Sequence, residues 1–406
     1  MLAMTIAAVT AASGAPSTEV RGLWVPRGAI TTPAAIDALV TDASEAGITD
    51  LLVQVRGRGE ALYRSDLEPR ASELAGQPPS FDPLGRILEA ARPAGLRVHA
   101  WVNLNLVSSA ASLPSSSRHV ANRRPDWLMV PRDLSSTLAD VAPASPAYLA
   151  TLARWSRGQS GQVEGLYLSP VAADARAYSR AIIEELVRRY ALDGVHLDYV
   201  RYPSEAFDYS APTLAAFRAA RWGATPVADR RRLDEAAAVD PAAWTTAEPE
   251  AWGMFLRDAL TTLVADVQAA ARAVRPGLVI SAAVVPRAAD AREQKRQDWP
   301  VWARAGYLDA ICPMIYTTSA DEFDATLREL SIMAGDTPYW AGIGAYRLPV
   351  TGTIEHLRRA RRAGPAGVVL FSYAQLADEG ETASLAAFRG ALLEAPSGAP
   401  LPRARR

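Results

Sequence analysis

The feature that most constrains this chain is a regular alternation of strand-like and helix-like runs along its 406 residues. Eight apolar runs rich in β-branched and aromatic residues predict strands at 19–25, 50–56, 97–103, 194–200, 278–285, 308–316, 339–346 and 367–373. Each precedes a run with the helical spacing of apolar residues, at 33–46, 82–94, 174–190, 252–274, 298–305, 321–334, 353–363 and 382–393. Eight strand–helix pairs are typical of an α/β protein with a (β/α)8 TIM barrel.

A doubly wound open sheet is the alternative fold for such an alternation. That fold usually carries a Gly-x-Gly-x-x-Gly turn after its first strand, and no predicted strand here is followed by one. A composition of 49% hydrophobic residues is enough for one large core. We therefore predict a single barrel domain over residues 19–392.

The two ends of the chain differ from the predicted barrel. Residues 1–16 are small and apolar, and they resemble a signal peptide without its charged start, which predicts export to the periplasm or cell exterior. The alternative is a frayed apolar N-terminus. Residues 395–406 predict a disordered tail.

No other segment has the ~18 apolar residues of a membrane span, and a net charge of -1 argues against nucleic-acid binding.

Two predicted connections are much longer than the usual 2–6 residues. They follow the third and fourth strands, over 104–173 and 201–250, at the barrel end where such enzymes build their sites from loops. Aromatic residues in them suit stacking on sugar rings, or else pack the loops onto the barrel; they are Trp127, Tyr148, Trp155, Tyr167, Tyr202, Phe207, Tyr209 and Trp244.

Alternation along each strand predicts which side chains share a face. Polar groups converge at the C-terminal ends of several strands, where burying them without partners is unfavourable. A ligand site is the simplest explanation. The residues on these faces are Gln54, Arg56, His99, Trp101, Asn103, His196, Asp198, Ser281, Cys312, Met314, Tyr316, Ser372 and Tyr373.

Asp198 is the predicted catalytic carboxylate because it ends the fourth strand at the barrel mouth. The alternative is a structural carboxylate paired with Arg56 or Arg201. Arg56 is also a candidate for binding a substrate hydroxyl or carboxylate. Glu60 is the predicted second acid, with Asp66 behind it, or else a solvated loop charge.

Other polar residues have structural interpretations. Asp50, Asp193 and Asp309 precede strands, so they belong at the N-terminal face, which serves stability. His99 and His196 together with Asp198 suggest a metal site, but the spacing favours hydrogen-bonded core histidines. We expect no metal and no cofactor. Ser281 has no adjacent base and no nucleophile-elbow motif.

Several segments, in this order along the chain, resemble the bacterial glycosyl hydrolase-like family 10. They are RGLWV at 21–25, LLVQVRGRGEALYRSDLEP at 51–69, LRVHAWVN at 96–103, RRPDWLM at 123–129, GLYLSP at 165–170, DGVHLDYVRYP at 193–203, QDWPVWARAGYLDAICPMIY at 297–316 and GVVLFSY at 367–373. The resemblance implies an often exported TIM-barrel glycosidase acting on bacterial cell-wall or exopolysaccharide glycans. Many members of the family carry Asp at the position of Glu60.

The fourth strand also looks like a distant relative of the family 18 chitinase strand. Asp193, Gly194 and Asp198 match that pattern, but His196 replaces its middle acid and Val200 replaces its catalytic Glu. The prediction is a glycosidase using Asp198 and Glu60; the alternative is a non-catalytic carbohydrate-binding barrel. The predicted substrate-binding residues are Gln54, Arg56, Trp101, Asn103, Tyr199, Arg201, Met314, Tyr316 and Tyr373.

Overall fold

The computed structural model describes residues 19–376 and 385–394, and its eight parallel strands close into a barrel in chain order. Each strand pairs with the next, and the last pairs with the first. The predicted (β/α)8 TIM barrel is confirmed. Its strands are β1 (Val20–Val25), β2 (Asp50–Arg56), β3 (Arg97–Asn103), β4 (Gly194–Asp198), β5 (Val279–Val284), β6 (Ala310–Ile315), β7 (Trp340–Gly344) and β8 (Gly367–Phe371).

Helices surround the barrel, and several start at a proline after a polar cap. None of those in the described ranges is both long and apolar enough to cross a bilayer. They are α1 (Pro33–Ala46), α2 (Pro83–Ala91), α3 (Val120–Arg123), α4 (Ser135–Leu138), α5 (Pro146–Gly158), α6 (Ala173–Arg189), α7 (Ala211–Arg221), α8 (Val227–Ala237), α9 (Ala243–Ala247), α10 (Pro249–Val274), α11 (Ala288–Gln294), α12 (Trp299–Arg304), α13 (Ala320–Met333), α14 (Val350–Ala363), α15 (Tyr373–Leu376) and α16 (Arg389–Leu393).

Large side chains from alternate positions fill the barrel interior. Glycines on facing strands make room for them: a Cβ on Gly194 would lie 2.1 Å from a ring nitrogen of His99, and one on Gly342 would lie 2.7 Å from the Trp24 ring. The face predictions for β3, β4 and β6 are confirmed. The buried cluster inside the barrel consists of Trp24, Leu52, Trp101, Ala310, Cys312, Trp340 and Val369.

His196 lies in the middle of this interior and is fully buried. Its Nε2 accepts the indole N–H of Trp24 at 3.1 Å, and its Nδ1 lies 2.9 Å from the hydroxyl of Ser281. Burial lowers the pKa of His196 to about 3, with a smaller contribution from His99. The prediction of a hydrogen-bonded core histidine is therefore confirmed.

The carboxylates that precede strands lie at the N-terminal face, as predicted. Asp50 binds His99 Nε2 at 2.9 Å and the Arg97 guanidinium at 2.6–2.7 Å. Asp193 and Asp309 each accept a backbone N–H of the neighbouring strand at 2.8 Å. These three carboxylates hold strands together and have no contact with the barrel mouth.

The prediction that Arg56 shares the inward face of Gln54 is wrong. A bulge in β2 pairs Gln54 with Trp101 but Arg56 with Val102, so one extra residue reverses the face. The guanidinium of Arg56 instead donates to Glu68 at 2.7–2.9 Å, and both side chains are almost fully buried. Arg56 therefore fastens the loop after β2 to the outside of the barrel.

The long connections after β3 and β4 are confirmed, and both contain short helices, α3–α5 and α7–α9. The first is tied down by antiparallel bridges from Leu106 to Tyr167 and from Leu128 to Leu168. Seven of the eight aromatic residues noted in these connections are buried, and Trp155 is half-buried. Their main role is thus to pack the insertions onto the barrel.

Three predictions fall wholly or partly outside the described residues. The apolar segment 1–16 and the tail 395–406 lie entirely outside them. The predicted helix at 382–393 lies partly outside, and its described part is a 3-10 turn at Leu385–Phe388 followed by α16.

Replacing Glu68 with Gln should destabilise the fold strongly. The substitution Glu68→Gln leaves the charge of Arg56 buried without its counter-charge, which costs about 3–5 kcal/mol. Denaturant unfolding of both proteins measures the loss. The matched control is Glu235→Gln, which breaks an exposed pair with Arg231 and should change stability by about 0.5 kcal/mol or less. Equal losses of unfolding free energy in Glu68→Gln and Glu235→Gln would contradict the stabilising role of the Arg56–Glu68 pair.

The burial of His196 predicts a specific pH dependence of stability. The unfolded chain binds a proton here as the pH falls below about 6.5, whereas the folded chain stays neutral down to about pH 3. Stability is therefore complete above that range and falls on acidification, by up to about 1.4 kcal/mol per pH unit. His196→Gln should show a shallower loss of unfolding free energy between about pH 6 and pH 4. The same dependence of unfolding free energy on pH in the two proteins would show that His196 is not the cause of the acid loss.

Candidate active site

Asp198 is the carboxylate at the C-terminal mouth of the barrel, where β4 ends. It is buried, with 8% of its surface exposed. One carboxyl oxygen accepts the backbone N–H of Tyr199 at 2.7 Å, and the other accepts the indole N–H of Trp101 at 3.0 Å. Tyr199 adopts a left-handed backbone conformation (φ 48°), so the chain turns sharply as it leaves the strand.

Neither arginine considered as a partner forms an ion pair with Asp198. Arg56 pairs with Glu68, and Arg201 pairs with Glu164. Burial raises the pKa of Asp198 above its usual value, although the charge of Arg201 and the two hydrogen bonds oppose the shift. Such a carboxyl group keeps its proton to a higher pH than an exposed one, as a general acid requires.

Polar side chains on β2 and β3 form a network beside Asp198. The indole N–H of Trp101 is shared between Asp198 and the side-chain oxygen of Asn103, each at 3.0 Å. Asn103 also donates to the carbonyl of Gly57 at 2.8 Å, and Gln54 donates to Asn103 at 3.4 Å. The structure thus brings Gln54, Trp101 and Asn103 together with Asp198 at the mouth.

An aromatic wall covers the opposite side of the mouth. Tyr316 packs against Phe371 and Tyr346, with ring centroids 5.4 and 6.0 Å apart. Burial raises the pKa of Tyr316 well above its usual value, and the charge of Asp198 adds to the shift. The hydroxyl of Tyr316 therefore stays protonated and can donate a hydrogen bond. Half-buried Met314 precedes it on the inward face of β6.

Tyr373 was predicted to bind substrate but lies away from the mouth. Its hydroxyl donates to Asp42 of α1 at 2.8 Å, in the layer between barrel and helices. Phe371 occupies the inward position instead, and its ring contacts Trp101 and Trp24. Alternation through Val369 gives both Phe371 and Tyr373, but β8 ends at Phe371, so only Phe371 keeps the inward position.

Glu164 is a carboxylate near the mouth that the sequence analysis missed. It accepts the hydroxyl of Tyr167 at 2.6 Å and the guanidinium of Arg201 at 3.0 Å, while 40% of its side chain stays exposed. Its negative charge contributes to the raised pKa of Asp198, so the two carboxyl groups are within electrostatic reach. The position just before the GLYLSP run, in the loop after β3, was the available signal.

Arg201 links Glu164 to the residues around Asp198. Its guanidinium lies 4.7 Å from the ring centroid of Tyr199, which suits a cation–π contact. Tyr199 is half-buried, and burial together with the charge of Asp198 raises its pKa to about 12. Predicted residues Tyr199 and Arg201 are thus both placed at the mouth.

Glu60 lies in a separate polar cleft of about 230 Å³, built from the loops after β1, β2 and β3. Its carboxylate accepts the Ser72 hydroxyl at 3.3 Å, and burial raises its pKa. The charged groups that act on Glu60 are Glu73 and Arg27, whereas those acting on Asp198 are Arg201 and Glu164. The two predicted acids therefore sit in different surroundings.

The family comparison agrees with this architecture. Residues 19–346 match the family described as Glycosyl hydrolase-like 10. The chain belongs to this family. The matched range includes β1 to β7 and the carboxylates Asp198, Glu60 and Glu164, so the resemblance seen in the sequence segments is confirmed.

Curated relatives of this glycosyl hydrolase-like 10 protein share about a quarter of their residues with it. It is 26% identical to "Glycosyl hydrolase DigH" of Escherichia coli (strain K12) over 335 residues, which cover 76% of this chain and 65% of that protein. It is 25% identical to "Glycosyl hydrolase YngK" of Bacillus subtilis (strain 168) over 184 residues, covering 44% and 30%. The matches thus span less than two thirds of the length of each relative.

Solved structures similar to this glycosyl hydrolase-like 10 protein share its fold. An α-L-fucosidase isoenzyme 2 from Paenibacillus thiaminolyticus aligns with a TM-score of 0.57 and 14% identity, over 92% of this chain and 48% of that one. A β-galactosidase from Marinomonas ef1 aligns with a TM-score of 0.58 and 13% identity, over 92% and 58%. At these identities the likeness concerns the barrel alone.

Proposed function

We propose that this glycosyl hydrolase-like barrel cleaves O-glycosidic bonds in a bacterial cell-wall glycan or exopolysaccharide. The observation that carries the proposal is Asp198, a buried carboxyl group at the barrel mouth with a raised pKa and no ion-pair partner among the described residues. Glycoside hydrolysis needs a proton donor for the leaving oxygen, and a desolvated carboxylic acid is suited to that role.

Asp198 acts as the general acid in this proposal. The two N–H groups that it accepts fix its carboxyl plane, which leaves the remaining lone pairs and the proton for the substrate. Tyr316 and Asn103 hydrogen-bond the ring hydroxyls or the charge that develops on the sugar. The aromatic wall of Tyr316, Phe371 and Tyr346 supplies an apolar face for the ring.

Glu164 is the proposed second carboxylate in place of Glu60. Its side chain is partly exposed and fixed by Arg201 and Tyr167, so it is placed to activate a water molecule as a general base. Ionised Glu164 also raises the pKa of Asp198, which separates the acid and base roles of the pair. Glu60 then lines a neighbouring cleft where more of the glycan binds.

Export belongs to the same proposal. A cell-wall glycan lies outside the cytoplasmic membrane, and the apolar segment 1–16 resembles a signal peptide.

Replacing Asp198 with Asn should abolish cleavage without unfolding the barrel. The substitution Asp198→Asn removes the ionisable proton, and loss of a general acid lowers the rate by about 100-fold or more. Release of reducing ends from peptidoglycan glycan strands and exopolysaccharides measures activity, and circular dichroism checks the fold. The control Asp229→Asn changes an exposed carboxylate on α8 and should retain activity. Full turnover by Asp198→Asn would refute the proposal, and glycan binding without product from the unaltered protein would favour the binding barrel.

A comparison of Glu164→Gln with Glu60→Gln assigns the second carboxylate. Glu164→Gln should lower the rate by about 100-fold. It should also shift the alkaline limb of the residual pH–rate profile to lower pH, because removing a nearby negative charge lowers the pKa of Asp198. Glu60→Gln should weaken substrate binding and leave that limb unchanged. A large rate loss and a shifted alkaline limb in Glu60→Gln, with neither in Glu164→Gln, would instead identify Glu60 as the second carboxylate.

A further inference from the structure

A second site candidate lies outside the barrel mouth, in a groove of about 1010 Å³ between α10, α11 and α12. None of the residues assigned to the candidate active site lines it. Its most unusual members are three arginines, Arg257 on α10 and Arg292 and Arg296 on and after α11. Two further arginines and three carboxylates, Glu250, Glu293 and Asp298, complete its charged lining. The groove is thus a separate feature of the helical layer, with more arginines than carboxylates.

Two of these arginines converge on one point of α10. A Cβ on Gly253 would lie 3.1 Å from Nη1 of Arg257 and 3.3 Å from Nη1 of Arg296. Both guanidinium groups therefore rest against the helix where it has no side chain. Burial lowers the pKa of Arg257, and the charges of Arg292 and Arg296 lower it further, whereas the carboxylates of Asp298 and Asp258 oppose the shift.

The carboxylates that line the groove do not pair closely with these arginines. Arg292 has only a loose contact with Asp298, at 3.8 Å. Over residues 19–376 and 385–394, neither Arg257 nor Arg296 forms an ion pair within 4.0 Å, although Glu293 and Glu205 act on Arg296 from farther away. The Nε of Arg296 is buried without a hydrogen-bond partner.

The local backbone is also unfavourable for a purely structural role. Arg296 has a positive φ of 53°, a conformation that side-chain-bearing residues rarely adopt. Gly253 lies inside a 26-residue helix, where glycine is a poor helix former. Clustered like charges and such backbone positions persist where they serve binding.

We propose that this groove binds a phosphate group. Guanidinium groups form paired hydrogen bonds with phosphate oxygens, and a dianion balances more of the three positive charges than a carboxylate would. The phosphate belongs either to free inorganic phosphate or to the repeats of an anionic polymer.

Thermal unfolding with inorganic phosphate, at constant ionic strength set with chloride, tests the site. Phosphate should raise the Tm of the unaltered protein, because a ligand that binds only the folded state stabilises it. Arg257→Gln and Arg296→Gln should each weaken phosphate binding by about tenfold or more, as expected for losing a charge-assisted hydrogen bond. Calorimetric titration gives that ratio.

The control variant is Arg231→Gln, at an arginine with 86% of its side chain exposed, which should respond to phosphate like the unaltered protein. Without phosphate, Arg257→Gln and Arg296→Gln should be as stable as the unaltered protein or more so, since they relieve like-charge repulsion. A lower Tm with an unchanged phosphate response would overturn the proposal and assign the arginines to the fold. Absence of any phosphate effect would overturn it as well.

Linear polyphosphate and polygalacturonate, compared at equal charge, separate the sources of the ligand. Tighter binding of polyphosphate than of inorganic phosphate, lost in Arg296→Gln, identifies a polymer as the ligand. Equal binding per phosphate identifies the free ion. Polygalacturonate binding that matches polyphosphate and also depends on Arg296 would overturn the choice of phosphate.

Discussion

The structure depends on pairing the polar groups that the closed barrel buries. A closed sheet leaves no route for water to interior groups, so most of them need a partner within the protein. Near the N-terminal end Asp50 binds Nε2 of His99, whose Nδ1 has no partner, and in the middle Trp24, His196 and Ser281 bind one another. Aromatic side chains and facing glycines fill the remaining volume. These two paired layers make the barrel a solid platform for its mouth.

The third layer, at the mouth, differs because its carboxylate is only partly satisfied. Asp198 accepts two N–H groups but has no close cation, whereas Asp50, which is also buried, binds both an arginine and a histidine. The same residue type thus has a pKa lowered at one end of the barrel and raised at the other. Whether an aspartate is structural or able to act as an acid thus depends on its position along the strand and not on its residue type.

Local pattern was sufficient for most of the fold because strand and helix periodicities are local properties. It failed where a bulge at Val55 shifted the register and turned Arg56 outward to Glu68. It also failed where β8 ended at Phe371, so that Tyr373 no longer lay on the inward face. Glu164 was missed for another reason. Its position near Asp198 comes from the tertiary placement of a long insertion, bridged at Leu106 and Tyr167, which no local pattern encodes.

The arginines of the groove contrast with arginines that are paired elsewhere in residues 19–376 and 385–394. Elsewhere the fold uses arginine to fasten its outer layers, as in the buried pair of Arg361 with Glu19 and that of Arg56 with Glu68. A chain that pairs buried arginines so completely in those places does not lack carboxylates for Arg257 and Arg296; it leaves them facing a groove. Since an unpaired, partly buried charge lowers stability, these positions are explained better by a ligand than by the needs of the barrel.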